Sequence, residues 1–324
     1  MSDKRPVLGE KFEPNTASIR APLQGDWADE DTAVTRPTDV NSTPAEVRAR
    51  DRATLTILNG VNAGQVFAVE NETCSVGRDR NADVRIEDAG MSRQHASIIR
   101  TASGQYFVED ASSTNGTFIE GRRVQRVELR SGDHVQFGPN TALSFSLKDA
   151  REQELARQLY ESSTRDPLTG AVNRRYLNER LTTEVAYATR HRTHLATVLL
   201  DLDHFKLTND RCGHLAGDQL LRFVASQVTK SIRTEDVFAR WGGDEFVVLV
   251  RGIDHQNVAL FANRLCAAVE HGRVEWAGVA LRSTVSVGVA SIEECKNRSA
   301  LTLMALADER LYRAKTSGRN RVVA

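Results

Sequence analysis

The 324-residue chain predicts a multidomain fold, an all-β sandwich followed by a linker helix and an α/β domain. Three observations predict it. Short strand-like runs separated by turn residues fill residues 53–147. From Arg165 onward, helical patterns alternate with unbroken apolar runs. Residues 1–52 show neither pattern and hold five of the seven prolines.

Composition limits the function classes. Lysine plus arginine equals aspartate plus glutamate, 43 each, so bulk charge favours neither nucleic acid nor a membrane surface. Cys74, Cys212, Cys266 and Cys295 show no CxxC spacing, which suits a reducing compartment and neither a disulfide framework nor a zinc site. The start "MSDKRPVLGEKFEP" lacks the apolar core of a secretion signal, and no segment approaches the roughly 20 apolar residues of a membrane span. A cytoplasmic protein is expected.

Taken in order, residues 1–52 are too polar to offset their ordering entropy and are expected to form a flexible tail. Within it, "ADEDTAVTRPTDV" sets Thr32, Thr35 and Thr38 beside acids, as many Ser/Thr kinase sites do, and Thr16 adds a fourth candidate. The sandwich follows as "TLTIL", "QVFAV", "DVRI", "HASIIR", "QYFVED", "GTFIE", "HVQFG" and "LSFSL". Residues 148–164 carry helix formers, with Leu155 and Leu159 four apart, and predict a connecting helix with a seam for a short coiled coil. The last domain, 165–324, reads as strand "LATVLLDLD", helix "GDQLLRFVASQVTKSI", strand "DEFVVLV", helix "NVALFANRLCAAVE", strand "RSTVSVGVASI" and helix "ALTLMALADERLYRAK".

Chemistry concentrates in a few places. In "RWGGDEFVVLV" two glycines predict a tight turn, and Asp244 and Glu245 stand where that turn enters a strand buried on both faces. Such acids can face water or hold a divalent cation. The strand ending Asp201-Leu202-Asp203 brings another acid to a strand boundary, with Lys206 and Asn209 just beyond. Gly213 and Gly217 are expected to bracket a turn into a helix starting near Asp218, which could cap it. Lys315 and Arg319 lie four apart at the end of the last helix or at its exit. Acids for metal, cations for phosphate and amides for a base edge converge on a nucleoside triphosphate reaction. In the sandwich, the turn-rich links "SVGRDRNADVRI", "MSRQHASI" and "DASSTNGTFIEG" offer Arg78, Ser92, Thr114 and Asn115, a set suited to phosphate.

Together and in order, these three links and Gly132-Asp133 resemble the forkhead-associated (FHA) family over residues 53–147. The resemblance implies an eleven-stranded sandwich that binds phosphothreonine peptides. Arg78, Ser92 and Thr114 would touch phosphate, Asn115 would hold the peptide backbone, and Arg93 would lie beside them. His95 matches a residue that braces the loops. The ligand could be the chain's own tail, with a reach of about 40 Å, or another protein.

The motifs "RDPLTGAVNRR", "DLDHFKLTNDRCGHLAGD", "RWGGDEF" and "ADERLYRAKTSGRNR" resemble the GGDEF family of diguanylate cyclases over residues 165–322. Ala171 stands where that family usually has leucine. The resemblance implies a palm-like α+β domain that joins two GTP molecules into cyclic di-GMP with release of pyrophosphate, which requires a homodimer. It implies Mg²⁺, two ions per GTP site with Mn²⁺ as a substitute, held by Asp201, the carbonyl of Leu202, Asp244 and Glu245. Glu245 is also linked to deprotonation of the ribose 3′-hydroxyl. Asn209 and Asp218 would read guanine, Lys206, Lys315 and Arg319 would clamp phosphates, and Phe205, Gly242 and Gly243 would shape the nucleotide site. "RTED" fits the family's RxxD inhibitory site for cyclic di-GMP, through Arg233 and Asp236, with Arg264 as a secondary arginine. Two other readings stay open, a catalytically silent cyclic di-GMP receptor and a phospho-dependent scaffold.

Overall fold

The computed structural model describes residues 50–324, so the tail and its four candidate threonines lie outside the described residues. Among the described residues, eleven strands precede the linker: β1 (Arg52–Ile57), β2 (Val66–Ala68), β3 (Thr73–Gly77), β4 (Val84–Arg85), β5 (Ala96–Arg100), β6 (Tyr106–Asp110), β7 (Thr117–Ile119), β8 (Arg122–Val124), β9 (Arg126–Leu129), β10 (His134–Phe137) and β11 (Thr141–Lys148). They form two sheets, ordered β2-β1-β11-β10-β7-β8 and β4-β3-β5-β6-β9. Alternating inward residues such as Leu55, Ile98, Val108, Phe137 and Phe145 fill the space between them. β3, β8 and β9 are absent from the eight runs read in the sequence. β8 is charged and largely exposed, β9 is short and half charged, and β3 lies partly inside a segment read as a loop.

The linker helix α1 (Ala150–Thr164) begins where a reciprocal cap forces it to begin. Asp149 Oδ1 accepts from the Glu152 amide at 2.8 Å, and Glu152 Oε2 accepts from the Asp149 amide at 3.0 Å. Leu155 and Leu159 are 54% and 61% exposed on it.

The second domain comprises β12 (Val172–Asn173), α2 (Arg174–His191), β13 (Leu195–Leu202), α3 (Phe205–Cys212), α4 (His214–Ser231), β14 (Val237–Gly242), β15 (Glu245–Arg251), α5 (His255–Glu270), β16 (Val274–Trp276), β17 (Val279–Leu281), β18 (Val285–Ser291), α6 (Ala300–Thr316) and β19 (Val322–Val323). Its mixed sheet runs β12-β14-β15-β13-β18-β19, with β13 antiparallel to both neighbours. Ala196, Val198 and Leu200 of β13, with Phe246, Val248 and Val250 of β15, pack with α4 and α5. Leu195, Leu199, Val247 and Leu249 pack with α2 and α6. Both faces are covered, which is why these strands are apolar without alternation.

One helical boundary differs from expectation. Helix α4 starts at His214, so Gly217 and Asp218 lie inside it and Asp218 caps nothing. The break falls at Gly213, whose φ of +83° ends α3 and opens α4. Sandwich and mixed sheet belong to one compact unit. No described helix is long and apolar enough to cross a membrane.

Candidate active site

Side chains alternate faces along a strand, so pairing β13 with β15 decides which acids meet. The register sets Asp201 opposite Glu245, and Asp244 adjoins at the hairpin tip. Helix α6 brings Lys315 to the same face, its Nζ 2.7 Å from Asp201 Oδ2. Burial pushes Asp201 up to about 6; Lys315 opposes this, while Asp244 and Glu245 reinforce it. Burial also raises Glu245, against Lys315 and with Asp244 and Asp308. Three crowded acids with one lysine would be relieved by added positive charge, and hard oxygen donors suit Mg²⁺. Among the described residues, no three His, Cys, Asp or Glu side chains are grouped so that they could hold a metal ion by themselves. That is compatible with an ion completed by water and substrate phosphate rather than by protein alone.

The hairpin corrects the expected turn by one residue. Gly242 belongs to β14 and pairs with Glu245, leaving Gly243, at φ +47°, and Asp244 as the tip. A Cβ on either glycine would meet nothing within 4 Å, so the face over the tip is open. Arg240 fixes it from behind. Its Nε and Nη2 donate to the Gly243 carbonyl at 3.0 and 2.7 Å, and Nη1 reaches both Asp166 oxygens at 3.2 Å. Asp166 also accepts from the Thr169 amide and hydroxyl, tying the segment after α1 to the tip.

Across α3 and α4, Phe205 packs on the core, Lys206 is exposed, and the Asn209 side-chain oxygen is buried without a partner among the described residues. A Cβ at Gly217 would overlap that oxygen, so only glycine leaves Asn209 its place. Asp218 is half-buried one turn into α4. Lys315 is in the last turn of α6, whereas Arg319 lies beyond it, exposed, at φ +61°. Asp203, the second acid of the DxD, accepts from the Thr284 and Ser286 hydroxyls at 2.7 Å and from the Asn320 amide at 3.0 Å. It pins the exit segment that carries Arg319. Asp203, Asp166 and Arg240 carry no role legible in the sequence, although each sits inside one of the motifs above.

Arg233, Asp236 and Arg264 line one cavity of about 460 Å³, at the end of β15 away from the hairpin tip. Asp236 is buried and accepts from the Arg233 amide at 2.9 Å, and burial raises its pKa.

At one end of the sandwich the three turn-rich links converge. The Ser92 carbonyl accepts from the Arg78 amide at 3.1 Å, and Ser92 Oγ accepts from the Thr114 amide at 3.1 Å. Asn115 Nδ2 donates to the Gly90 carbonyl at 2.9 Å. The Arg93 carbonyl accepts from the Asp79 amide at 3.1 Å, and the Arg93 side chain is exposed. His95 is fully buried. Its Nδ1 accepts from the Ser92 amide at 3.1 Å, so Nε2 carries the proton and donates to the Gly116 carbonyl. Asp110 shapes the third link, and hydrogen bonds from Ser113 and Thr117 hold its carboxyl down despite burial.

Comparison with known proteins agrees with both halves. Residues 163–321 match the family model "Diguanylate cyclase, GGDEF domain", and residues 74–138 match the FHA domain. Diguanylate cyclase DgcP of Pseudomonas aeruginosa is 39% identical over 54% of this chain and 25% of its own length. The probable diguanylate cyclase DgcT of Escherichia coli is 40% identical over 49% of this chain and 35% of its own. The coiled coil and GGDEF domain of DgcB from Caulobacter crescentus, solved in complex with c-di-GMP, is 32% identical, with a TM-score of 0.51 over 54% of this chain and 92% of that one. The chain belongs to the GGDEF diguanylate cyclase family, with an FHA domain ahead of the GGDEF domain. It spans only 25% and 35% of those two curated relatives.

Proposed function

We propose that this chain is a diguanylate cyclase, condensing two GTP molecules into cyclic di-GMP and pyrophosphate. The observation that carries the reading is the meeting of Asp201, Asp244 and Glu245 at one end of the β13–β15 ladder, beside an open glycine face and Lys315. Asn209 and Asp218 read guanine, with Gly217 leaving room for the Asn209 side chain and Phe205 shaping the nucleotide site. Lys206, Lys315 and Arg319 take the phosphates. The 3′-oxygen of one GTP attacks the α-phosphorus of the other, its proton passes to Glu245, and the bond to the β-phosphate oxygen breaks. Two such steps close the ring. Burial and neighbouring acids raise the proton affinity of Glu245, as a general base needs. Mg²⁺ fits Asp201, Asp244, Glu245 and the Leu202 carbonyl, and when bound supplies charge neutralisation for the triphosphate.

One chain offers one GTP site, so two chains face each other in the reaction, and the exposed Leu155 and Leu159 of α1 support pairing through the linker. The product returns to the cavity of Arg233, Asp236 and Arg264 as an inhibitor. The FHA cleft takes a phosphothreonine peptide made by a Ser/Thr kinase, from the tail or from a partner, and docking regulates the cyclase. The free cysteines and a GTP substrate support action in the cytoplasm. Purified protein with GTP and Mg²⁺ should form cyclic di-GMP, and Glu245→Ala or Asp244→Ala should lower the rate by at least about a thousandfold. Substantial product from either variant contradicts the assignment.

A further inference from the structure

A cavity of about 540 Å³ separates the sandwich from helix α2. Charge fills its floor. Glu87 accepts from Arg85 at 2.6 Å, Arg180 at 2.6 Å and Arg251 at 2.8 Å, while Glu184 pairs with Arg180 and Arg251 at 2.9 Å. These five groups form one ion-pair network, in which the buried Nε of Arg85 and of Arg180 still lack a hydrogen-bond partner among the described residues. The side chains of two lining arginines, Arg78 and Arg190, make no hydrogen bond or ion pair among the described residues, and both residues are exposed.

Arg78 belongs to two sites at once. Its amide is held by Ser92, in the cluster with Thr114, and its side chain lines the cavity. Asp88 and Ala89 form part of the cavity wall, and the next residue, Gly90, anchors Asn115. The opposite wall is α2, where Thr182, Ala186 and Arg190 follow at four-residue intervals on one exposed face. A peptide held by phosphate at Arg78, Ser92 and Thr114 therefore continues into a space whose far side is the cyclase domain, with an unpaired arginine waiting there.

We propose that the phosphopeptide cleft is composite: the sandwich holds the phosphothreonine, and α2 of the cyclase domain reads an acidic residue flanking it through Arg190. The inference rests on the phosphopeptide reading above and adds a specificity-determining residue outside the FHA domain. It makes the cyclase domain part of the surface that chooses the partner, a phosphothreonine peptide with an acidic flank.

Fluorescence anisotropy on the unphosphorylated full chain tests it, using phosphothreonine peptides that carry Asp, Ala or Lys at one flanking position at a time. At one or more positions Asp should bind about three- to tenfold tighter than Ala. Arg190→Glu should abolish that preference, reverse it toward Lys, and leave both the all-Ala peptide affinity and GTP turnover without peptide within about twofold. Arg78→Ala should lose binding of every peptide. Retained binding with an unchanged flank preference in Arg190→Glu overturns the composite cleft alone. Absence of phosphate-dependent binding by the wild type overturns the phosphopeptide reading, and this inference with it.

Discussion

Asp201 joins folding to the proposed chemistry in one residue. Its pKa of about 6 means that the folded protein holds this proton more tightly than the unfolded chain does. The stabilisation is complete below the ordinary carboxylate range and is lost as pH rises through about 6, amounting to at most about 3 kcal/mol. Metal-free wild type should therefore lose stability between pH 4 and 6 in denaturant titrations, and Asp201→Asn should lack that slope. An identical pH profile for both would show that Asp201 is not so perturbed. Gly217 acts by what it omits. Gly217→Ala would displace the Asn209 amide, and steady-state kinetics should show KM for GTP raised about tenfold with a smaller change in kcat. An unchanged KM would separate Asn209 from guanine recognition.

Elements explain what sequence could and could not supply. The β13 and β15 strands were legible because both faces are apolar, and the acids at their ends stood out against that background. Helix α2 went unread, since Arg180 and Glu184 interrupt its buried stripe, and their partners, Glu87 and Arg251, lie far off in sequence. The placement of Asp218 failed for a related reason: glycine usually breaks helices, but Gly217 is inside α4 because α3 approaches too closely for any side chain. Arg240 was quoted without a role because its partners, Gly243 and Asp166, become neighbours only when the hairpin folds. Loss of that brace should loosen the tip more than it unfolds the domain. Arg240→Ala or Asp166→Ala should lower kcat about ten- to a hundredfold, with stability changed by only about 1–2 kcal/mol. Wild-type kcat in both variants would remove the brace from the account.

At the scale of the molecule, Glu87 is the keystone between the FHA and GGDEF domains, accepting from Arg180 and Arg251 across the interface. Glu87→Ala leaves Arg85 without its ion pair and Arg180 and Arg251 partly unpaired, and should weaken domain docking by about 2 kcal/mol, visible as faster hydrogen exchange in α2. Exchange in α2 equal to wild type would mean that the docking does not depend on this residue. The same scale holds the central claim, that acids gathered by the β13–β15 register act on GTP only when two chains face each other. Specific activity for cyclic di-GMP formation from GTP and Mg²⁺, measured across a wide range of protein concentration, tests this most directly. The account predicts a rate per chain that rises with concentration to a plateau as dimers form. A concentration-independent rate from chains shown to be monomeric, or no cyclic di-GMP at any concentration, would contradict it.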